Sequence, residues 1–229
     1  MTGVVLQARL DSRRLPLKAL LPLGGEPLIL RVMRALKTVP WERHILACPE
    51  DSLEAFAPLA DRAGFALFGG AKEDVLSRYC GAIRHFGLER VIRATGDNPF
   101  VFADAAAALD REHQAGGACY AAYAGLPHGA GVEVLAAAAL LKAEAEAESP
   151  AEREHVCPYL YGNPDRFLLH RPLAPRRWQG PSLRITVDTQ EDYRKAVLLH
   201  EGIAGSERPF AGETVIAAYR RLFLQDLWA

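Results

Sequence analysis

Residues 4–18 read Val4-Val5-Leu6-Gln7-Ala8-Arg9-Leu10-Asp11-Ser12-Arg13-Arg14-Leu15-Pro16-Leu17-Lys18, and their pattern indicates the fold class. The apolar run, Val4 to Leu6, predicts a buried strand, and the residues after it predict a loop. Beyond the loop, short apolar strands alternate with helical patterns as far as about residue 116. Because this alternation is typical of parallel βαβ units, the sequence predicts an α/β fold: a mostly parallel mixed sheet flanked by helices, in one domain over residues 1–229.

The second half of the chain is less regular, which is why the predicted sheet is mixed. Apolar periodicity there predicts a helix over 151–161, a strand over 183–187 and helices over 189–203 and 212–226. The proline-containing segment 170–180 is expected to be a loop.

Composition limits the function classes. Half of the 229 residues are hydrophobic and the net charge is -1, which is ordinary for a soluble globular protein. A net charge near zero argues against nucleic-acid binding, and no stretch approaches the ~20 apolar residues of a membrane span. The four widely spaced cysteines form no CxxC pair and suit a reducing compartment. We therefore expect a cytoplasmic protein with no nucleic-acid partner and no membrane span.

A basic loop follows the first strand. It contains Arg9, Arg13, Arg14 and Lys18, whose charges suit a triphosphate. Ligands of doubly wound sheets lie outside the carboxyl ends of the strands, where this loop is expected. The loop has neither P-loop nor GxGxxG spacing, which disfavours a Walker NTPase and a Rossmann dehydrogenase. From these residues alone, a phosphate site and a solvated loop with incidental charges both stay open.

The same stretch resembles the QARxxSxRLPGK signature of the cytidylyltransferase superfamily, which includes CMP-sialic acid and CMP-KDO synthetases and the SpsF-like spore coat polysaccharide proteins. The SpsF-like branch is the most similar. Further matching blocks follow in the family's order: Gly25–Leu28, Glu73–Tyr79, Arg93–Pro99, Glu152–Val156 and Thr186–Asp192. The resemblance implies a Rossmann-like nucleotide-diphospho-sugar transferase fold and a sugar nucleotidyltransferase of surface polysaccharide biosynthesis.

The resemblance also implies site residues and partners. The partners are a nucleoside triphosphate, with CTP favoured, and a sugar acceptor. Lys18, Arg14 and Asp97 are assigned to catalysis, and Glu133 to the acceptor side. The residues 152–155 are interpreted first as the first turn of a helix after Pro150, where acidic residues are favoured. The alternative is that His155 binds the acceptor or lies at the contact of a homodimer. The nucleotide-binding set is Gln7, Ala8, Arg9, Ser12, Arg14, Lys18, Arg78, Thr95 and Gly96.

Two aspartates are candidate metal ligands. Asp97 and Asp188 each follow a predicted strand, so both are expected at the same sheet edge as the basic loop. Two carboxylates there suit Mg²⁺, and the resemblance gives them that role. From the residues alone, a turn residue at Asp97 and a helix N-cap at Asp188 are favoured over a metal site. Arg93, inside a strand, is expected to meet a phosphate or a carboxylate such as Asp97.

Two residues depart from the family pattern. Leu17 stands where the family has a glycine, which would allow a positive φ, and Gly131 stands where SpsF-like proteins often carry Asp. A non-catalytic nucleotide-binding protein is one alternative, with Leu17 as its mark. A glycosyltransferase using a finished nucleotide sugar is another, although such enzymes typically carry a DxD pair and this sequence has none.

Overall fold

The first strand lies at the centre of the sheet. In a computed structural model that describes residues 1–224, β1 (Thr2–Gln7) pairs in parallel with the strands Arg43–Pro49 and Arg90–Thr95. Val4 and Leu6 pack on one side of the sheet and Val5 on the other, all fully buried. A strand buried on both faces reads as a continuous apolar run, which is the pattern of this segment.

The strands, numbered in chain order, are β1 (Thr2–Gln7), β2 (Pro22–Leu23), β3 (Glu26–Pro27), β4 (Arg43–Pro49), β5 (Ala66–Gly70), β6 (Arg90–Thr95), β7 (Tyr120–Ala121), β8 (Glu133–Ala136) and β9 (Leu169–His170). Seven of them form one sheet in the order β5-β4-β1-β6-β8-β7-β9, and β2 pairs with β3. The strands β5, β4, β1 and β6 are parallel, whereas β8 runs antiparallel to both β6 and β7. The predicted mostly parallel mixed sheet is confirmed.

Helices cover both faces of this sheet. They are α1 (Leu28–Lys37), α2 (Leu53–Ala63), α3 (Val75–Phe86), α4 (Ala103–Gly116), α5 (Ala137–Glu146), α6 (Pro150–His155), α7 (Pro158–Tyr161), α8 (Gln190–Ile203) and α9 (Gly212–Phe223). The apolar sides of α1, α2, α4, α8 and α9 form one core layer, and those of α3, α5 and α7 form the other. Within residues 1–224, none of the helices combines the length and apolar character needed to cross a bilayer.

The predicted helix over 151–161 is wrong, because the chain forms α6 and α7 with a break between them. Ser149 caps α6 through a capping box with Glu152, each side chain accepting the other residue's backbone N–H. Buried Val156 then has φ 73 and ψ −55, a conformation that β-branched residues rarely adopt. Pro158, which has no N–H, starts α7. His155 is therefore the last residue of α6.

The predicted strand over 183–187 is also wrong. This segment is extended, but it is bonded to loops instead of to a neighbouring strand. The N–H of Ile185 donates to the His128 carbonyl, and the N–H of Val187 donates to the Asp97 carbonyl at 2.8 Å. Apolar and polar residues do alternate along 183–187, but the segment forms only a single bridge, between His128 and Arg184, and no continuous hydrogen-bonded ladder.

Two predictions reach beyond the described residues. The last helix, predicted over 212–226, is observed as α9 up to Phe223, and positions 225 and 226 lie outside the described part. The single domain over 1–229 stays a prediction. The strands of the main sheet are drawn from Thr2 through His170.

Candidate active site

A cleft of about 600 Å³ lies at the carboxyl ends of β1 and β6, a size usual for small-molecule sites. The loop after β1, the start of α3, the end of α6 and the segment before α8 form its walls. Most of the predicted site residues line it: Gln7, Ala8, Arg9, Ser12, Arg14, Lys18, Arg78, Thr95, Gly96, Asp97, His155 and Asp188. Glu133 is not among the lining residues.

The basic loop is shaped by a left-handed residue at Leu17. Its φ of 55 and ψ of 24 immediately precede the 3-10 helix Lys18–Leu20. The conformation costs an L-residue roughly 1–2 kcal/mol, which a glycine avoids. The N–H of Leu17 donates to the Leu10 carbonyl at 3.1 Å, and its side chain is 51% exposed. The loop thus has the backbone shape that glycine would favour, although the residue is leucine.

The Lys18 ammonium joins three distant parts of the chain. Its Nζ donates to Asp97 Oδ2 at 2.9 Å, to Asp188 Oδ1 at 2.9 Å and to the Val187 carbonyl at 3.0 Å. Only 13% of the Lys18 side chain is exposed, so these bonds are shielded from water. The two aspartates therefore converge on one point, and a cation fills it.

The other oxygen of each carboxylate is held by a different partner. Asp97 Oδ1 accepts from Thr95 Oγ1 at 2.6 Å, and Asp188 Oδ2 accepts from Arg184 Nη2 at 2.8 Å. These bonds orient the free oxygens toward Lys18. Sequence reasoning missed Arg184. The sequence feature that could have indicated Arg184 is the alternation of the buried residues Leu183, Ile185 and Val187 with polar residues. In an extended segment this alternation places Arg184 and Asp188 on the same face.

Asp188 is not the N-cap of α8, so that interpretation is wrong. Thr189 is the cap, and Asp192 completes the capping box with it. Burial raises the pKa of Asp188, but hydrogen bonds and charge from Lys18, Arg184 and Arg14 outweigh burial and hold the pKa below its usual value. Asp188 is therefore a carboxylate at neutral pH.

The three oxygens around Nζ would also suit Mg²⁺ as ligands. They are two carboxylate oxygens and one backbone carbonyl, the hard oxygen ligands that this ion takes alongside water and phosphate. In the described residues, no group of three or more His, Cys, Asp or Glu side chains joins them. The remaining ligands would therefore come from water and substrate phosphate, as is usual for Mg²⁺.

Two glycines allow the close approaches that this geometry needs. A Cβ on Gly96 would lie 2.7 Å from Ile29 Cδ1 and 3.0 Å from Ala8 Cβ, so the turn before Asp97 packs directly beneath the end of β1. A Cβ on Gly129, which has φ +94, would lie 2.6 Å from the Thr186 nitrogen. Glycine at position 96 therefore brings the turn before Asp97 against the end of β1, and glycine at position 129 brings its loop against the segment before Asp188.

Arg78 lines the cleft, and it is a buried charge. The residue is 3% exposed, its Nη1 donates to the Ala71 carbonyl at 3.0 Å, and its Nε is buried without a partner. Burial lowers its pKa. No carboxylate in residues 1–224 forms an ion pair with Arg78. A buried guanidinium without an acid is costly, so an anionic ligand in the cleft would stabilise it.

Arg93 meets a carboxylate, as expected, but that carboxylate belongs to Glu133 and not to Asp97. Glu133 is its register partner across β6 and β8. Glu133 Oε1 also accepts from the Tyr120 hydroxyl at 2.9 Å, and the Cys157 thiol lies 3.4 Å from Oε2. Arg93 reaches the cleft, whereas Glu133 lies behind it. Glu133 therefore contacts and orients Arg93, and it does not line the cleft in which a sugar acceptor would bind.

The end of α6 closes the far side of the cleft. Glu154 lies 3.8 Å from Arg9 of the basic loop, and both side chains are about half exposed. Arg153 fixes α6 to the start of α3 by pairing with Asp74 at 2.6 Å. His155 follows and lines the cleft. The ion pair between Arg9 and Glu154 therefore spans the cleft.

The fold is that of an α/β protein whose cleft gathers cations and carboxylates at the sheet edge, and the chain belongs to the cytidylyltransferase family, whose model matches residues 4–214. Among curated relatives, it is 32% identical over 215 residues to the spore coat polysaccharide biosynthesis protein SpsF of Bacillus subtilis, covering 90% of this chain and 88% of SpsF. These similarities support a nucleotidyltransferase role.

Solved structures share the architecture. A cytidylyltransferase from Leptospira borgpetersenii superposes with a TM-score of 0.87 at 23% identity, covering 96% of this chain and 94% of that one. A CMP-KDO synthetase solved with CTP superposes with a TM-score of 0.68 at 16% identity, covering 87% and 98%. The predicted Rossmann-like nucleotidyltransferase fold is confirmed.

Proposed function

We propose that the protein transfers CMP from CTP to a sugar or sugar acid used in surface polysaccharide biosynthesis. One observation carries the proposal: a single cleft gathers the cations of the basic loop, two converging carboxylates, and the buried Arg78. A nucleoside triphosphate with its metal is the ligand that matches all three.

The loop cations would bind the phosphates. Arg14, 65% exposed, already lies 3.1 Å from Asp188, and Lys18 lies between the carboxylates. Both can turn to the β- and γ-phosphates, with the Ser12 hydroxyl and Arg9 beside them. They would stabilise the charge that develops on the leaving pyrophosphate.

Asp97 and Asp188 would hold Mg²⁺. When bound, the ion neutralises charge on the phosphates and orients the α-phosphate for in-line attack. Thr95 and Arg184 keep the two carboxylates in position for it. The left-handed backbone at Leu17 supports a working loop over the non-catalytic alternative, because the departure from glycine leaves that backbone shape in place.

The base would lie over the end of β1. Gln7 Oε1 is buried at the cleft without a hydrogen-bond partner. In this orientation the amide oxygen can accept a hydrogen bond from the exocyclic amine of cytosine. The contact is compatible with CTP, and the CTP bound to the CMP-KDO synthetase relative supports the same nucleotide.

The acceptor would enter beside Arg93 and His155. Its hydroxyl oxygen forms the new bond to the α-phosphorus, the bond from that phosphorus to the β-phosphate oxygen breaks, and pyrophosphate leaves with the electron pair. The hydroxyl proton passes to water. Catalysis in this scheme comes from positioning and charge stabilisation, so the protein needs no covalent nucleophile.

Pyrophosphate release tests the proposal. The protein is incubated with Mg²⁺, each of the four nucleoside triphosphates and a panel of sugars and sugar acids. We expect release with CTP and at least one acceptor, and little without an acceptor. Absence of release for every combination, from protein that is folded by thermal unfolding, would contradict the proposed function.

A further inference from the structure

We propose that the Lys18 ammonium occupies the position of the divalent cation in the nucleotide-free protein and exchanges places with it when a triphosphate binds. The inference rests on the proposed function only for the identity of the incoming anion. Its structural basis is the set of oxygens around Nζ.

The position can hold one cation at a time. Asp97 Oδ2, Asp188 Oδ1 and the Val187 carbonyl all lie within 3.0 Å of Nζ. A magnesium ion contacts its oxygen ligands at about 2.0–2.1 Å, so it cannot bind the same oxygens while the ammonium lies among them. Without either cation, Asp97 would lose its ion pair with Lys18, whereas Asp188 would keep those with Arg14 and Arg184.

The carboxylates are held independently of Lys18. Thr95 fixes one oxygen of Asp97, and Arg184 fixes one oxygen of Asp188. Arg184 is itself held by Asp192, at 3.0 Å. The oxygen cage therefore keeps its shape when the lysine leaves, which a site for an exchangeable cation requires.

Lys18 can leave because it is a flexible side chain at the mouth of the basic loop. Its backbone is fixed in the 3-10 helix Lys18–Leu20, but a lysine has four rotatable bonds and acts as a mobile point charge. Phosphates held by Arg9 and Arg14 would offer it new oxygen partners. The exchange thus replaces three protein oxygens by phosphate oxygens at Nζ, and frees the protein oxygens for the metal.

Metal and nucleotide binding are therefore coupled through Lys18. In the absence of nucleotide, a divalent cation must displace the ammonium, so the free protein binds it weakly. A triphosphate that draws Lys18 away raises the metal affinity, and by reciprocity the metal raises the nucleotide affinity by the same factor.

Mn²⁺ binding to the nucleotide-free protein tests the exchange. Free Mn²⁺ is measured by electron paramagnetic resonance during titration of the wild type and of Lys18→Met, which keeps chain length and removes the charge. We expect Lys18→Met to bind Mn²⁺ at least about tenfold more tightly, within the 5–150-fold range of typical couplings. The double variant Lys18→Met/Asp97→Asn should lose the gain.

Arg14→Met is the matched control. It removes a positive charge 3.1 Å from the same Asp188 oxygen but leaves Lys18 in the cage. Exchange predicts a small gain for Arg14→Met and a large one for Lys18→Met. Equal gains would indicate general electrostatics and overturn the proposal.

The remaining outcomes are also decisive. Unchanged or weaker Mn²⁺ affinity in Lys18→Met, and in Lys18→Ala where the methionine variant fails to fold, would overturn the exchange. Either result leaves the proposed function intact if the wild type releases pyrophosphate. Conversely, Lys18→Met could bind Mn²⁺ about tenfold more tightly while the wild type catalyses no nucleotidyl transfer. That result would support the exchange and count against the proposed reaction.

Discussion

Two groups of opposite charges lie at the cleft, and they behave differently. The Lys18 cluster (Lys18, Asp97 and Asp188) joins three loops at the sheet edge, with its bonds directed at one exchangeable cation. In the Arg93 cluster (Arg93, Glu133, Tyr120 and Cys157), only Arg93 lines the cleft. Arg93 and Glu133 are register partners in the sheet, and Tyr120 and Cys157 contact Glu133. The same kind of ion pair thus forms a candidate binding site in the Lys18 cluster and a structural contact in the Arg93 cluster.

The pKa shifts in the Arg93 cluster agree with a supporting role. Burial raises the pKa of Cys157 well above its usual value, and burial together with Glu133 raises the pKa of Tyr120. Both groups are therefore neutral hydrogen-bond donors at physiological pH. Glu133 is saturated by them and by Arg93, so little of its capacity is left for a ligand. Both clusters contain charged residues. The Lys18 cluster differs from the Arg93 cluster because its carboxylates can exchange one cation for another.

The largest expected effect is at Asp97. Asp97→Asn removes a charge from the cation position, so nucleotidyl transfer should fall by about a thousandfold, equivalent to about 4 kcal/mol of transition-state stabilisation. Initial rates of pyrophosphate release measure it. The control is Asp165→Asn, an exposed carboxylate away from the cleft, which should keep the wild-type rate. Equal rates for the two variants would remove Asp97 from the site.

Breaking the Arg93 cluster should affect stability first. Glu133→Ala leaves a shielded guanidinium without its acid, which should cost about 3 kcal/mol in the free energy of unfolding. Urea denaturation measures the loss. As a control, Glu144→Ala breaks the ion pair with the exposed Arg84 and should cost under about 1 kcal/mol. If Glu133→Ala were as stable as this control, the Arg93 cluster would not be a support.

Acid should weaken the support behind Asp188. Burial raises the pKa of Asp192, but Arg184 and the backbone N–H groups of Asp188 and Thr189 outweigh burial and lower the pKa from 3.8 to about 2. A carboxyl with a lowered folded-state pKa stabilises the fold above the unfolded value and loses this effect as pH falls through the folded value. Between about pH 4 and pH 2, the contribution of Asp192 to the free energy of unfolding should therefore fall by about 2 kcal/mol.

Asp192→Asn is the comparison for this pH effect. It should be less stable than the wild type at neutral pH, and the difference should shrink as pH falls from about 4 to 2, measured by urea unfolding at each pH. A stability difference that stays constant over this range would show that Asp192 titrates normally in the folded protein.

The smallest expected effect is at Leu17. Leu17→Gly removes the strain of the left-handed conformation, partly offset by the greater freedom of glycine in the unfolded chain, so stability should rise by up to about 1 kcal/mol. Leu168→Gly, at an exposed leucine without a positive φ, should instead lower stability. A loss of stability in Leu17→Gly would contradict the strain seen in the loop.

Sequence reasoning predicted the meeting of Lys18, Asp97 and Asp188, because the carboxyl ends of parallel strands share one edge. The strand predicted before Asp188 does not form, yet the apolar alternation was enough to bring Asp188 to that edge. Family resemblance supplied the roles of these residues, which the residues alone left open.

The rest depended on contacts that local sequence does not encode. The position of Glu133 behind Arg93 follows from the register of β8 on β6, a pairing between segments 40 residues apart. The location of Lys18 between the carboxylates likewise depends on tertiary packing. The contact of Arg184 with Asp188 is different, because the two residues are four apart and the alternation over 183–187 already places them on one face. The break at Val156 was hidden because 151–161 reads as one helical pattern.

Asp97 and Asp188 are proposed to form one cation position that serves a bound nucleotide. Thermal unfolding with CTP, with and without Mg²⁺, tests this role, because a ligand that binds only the folded state raises its stability. We predict a rise in Tm with CTP and Mg²⁺ together, a smaller one with CTP and EDTA, and no Mg²⁺-dependent rise in Asp97→Asn. The same rise with EDTA as with Mg²⁺, or in Asp97→Asn as in the wild type, would contradict the claim.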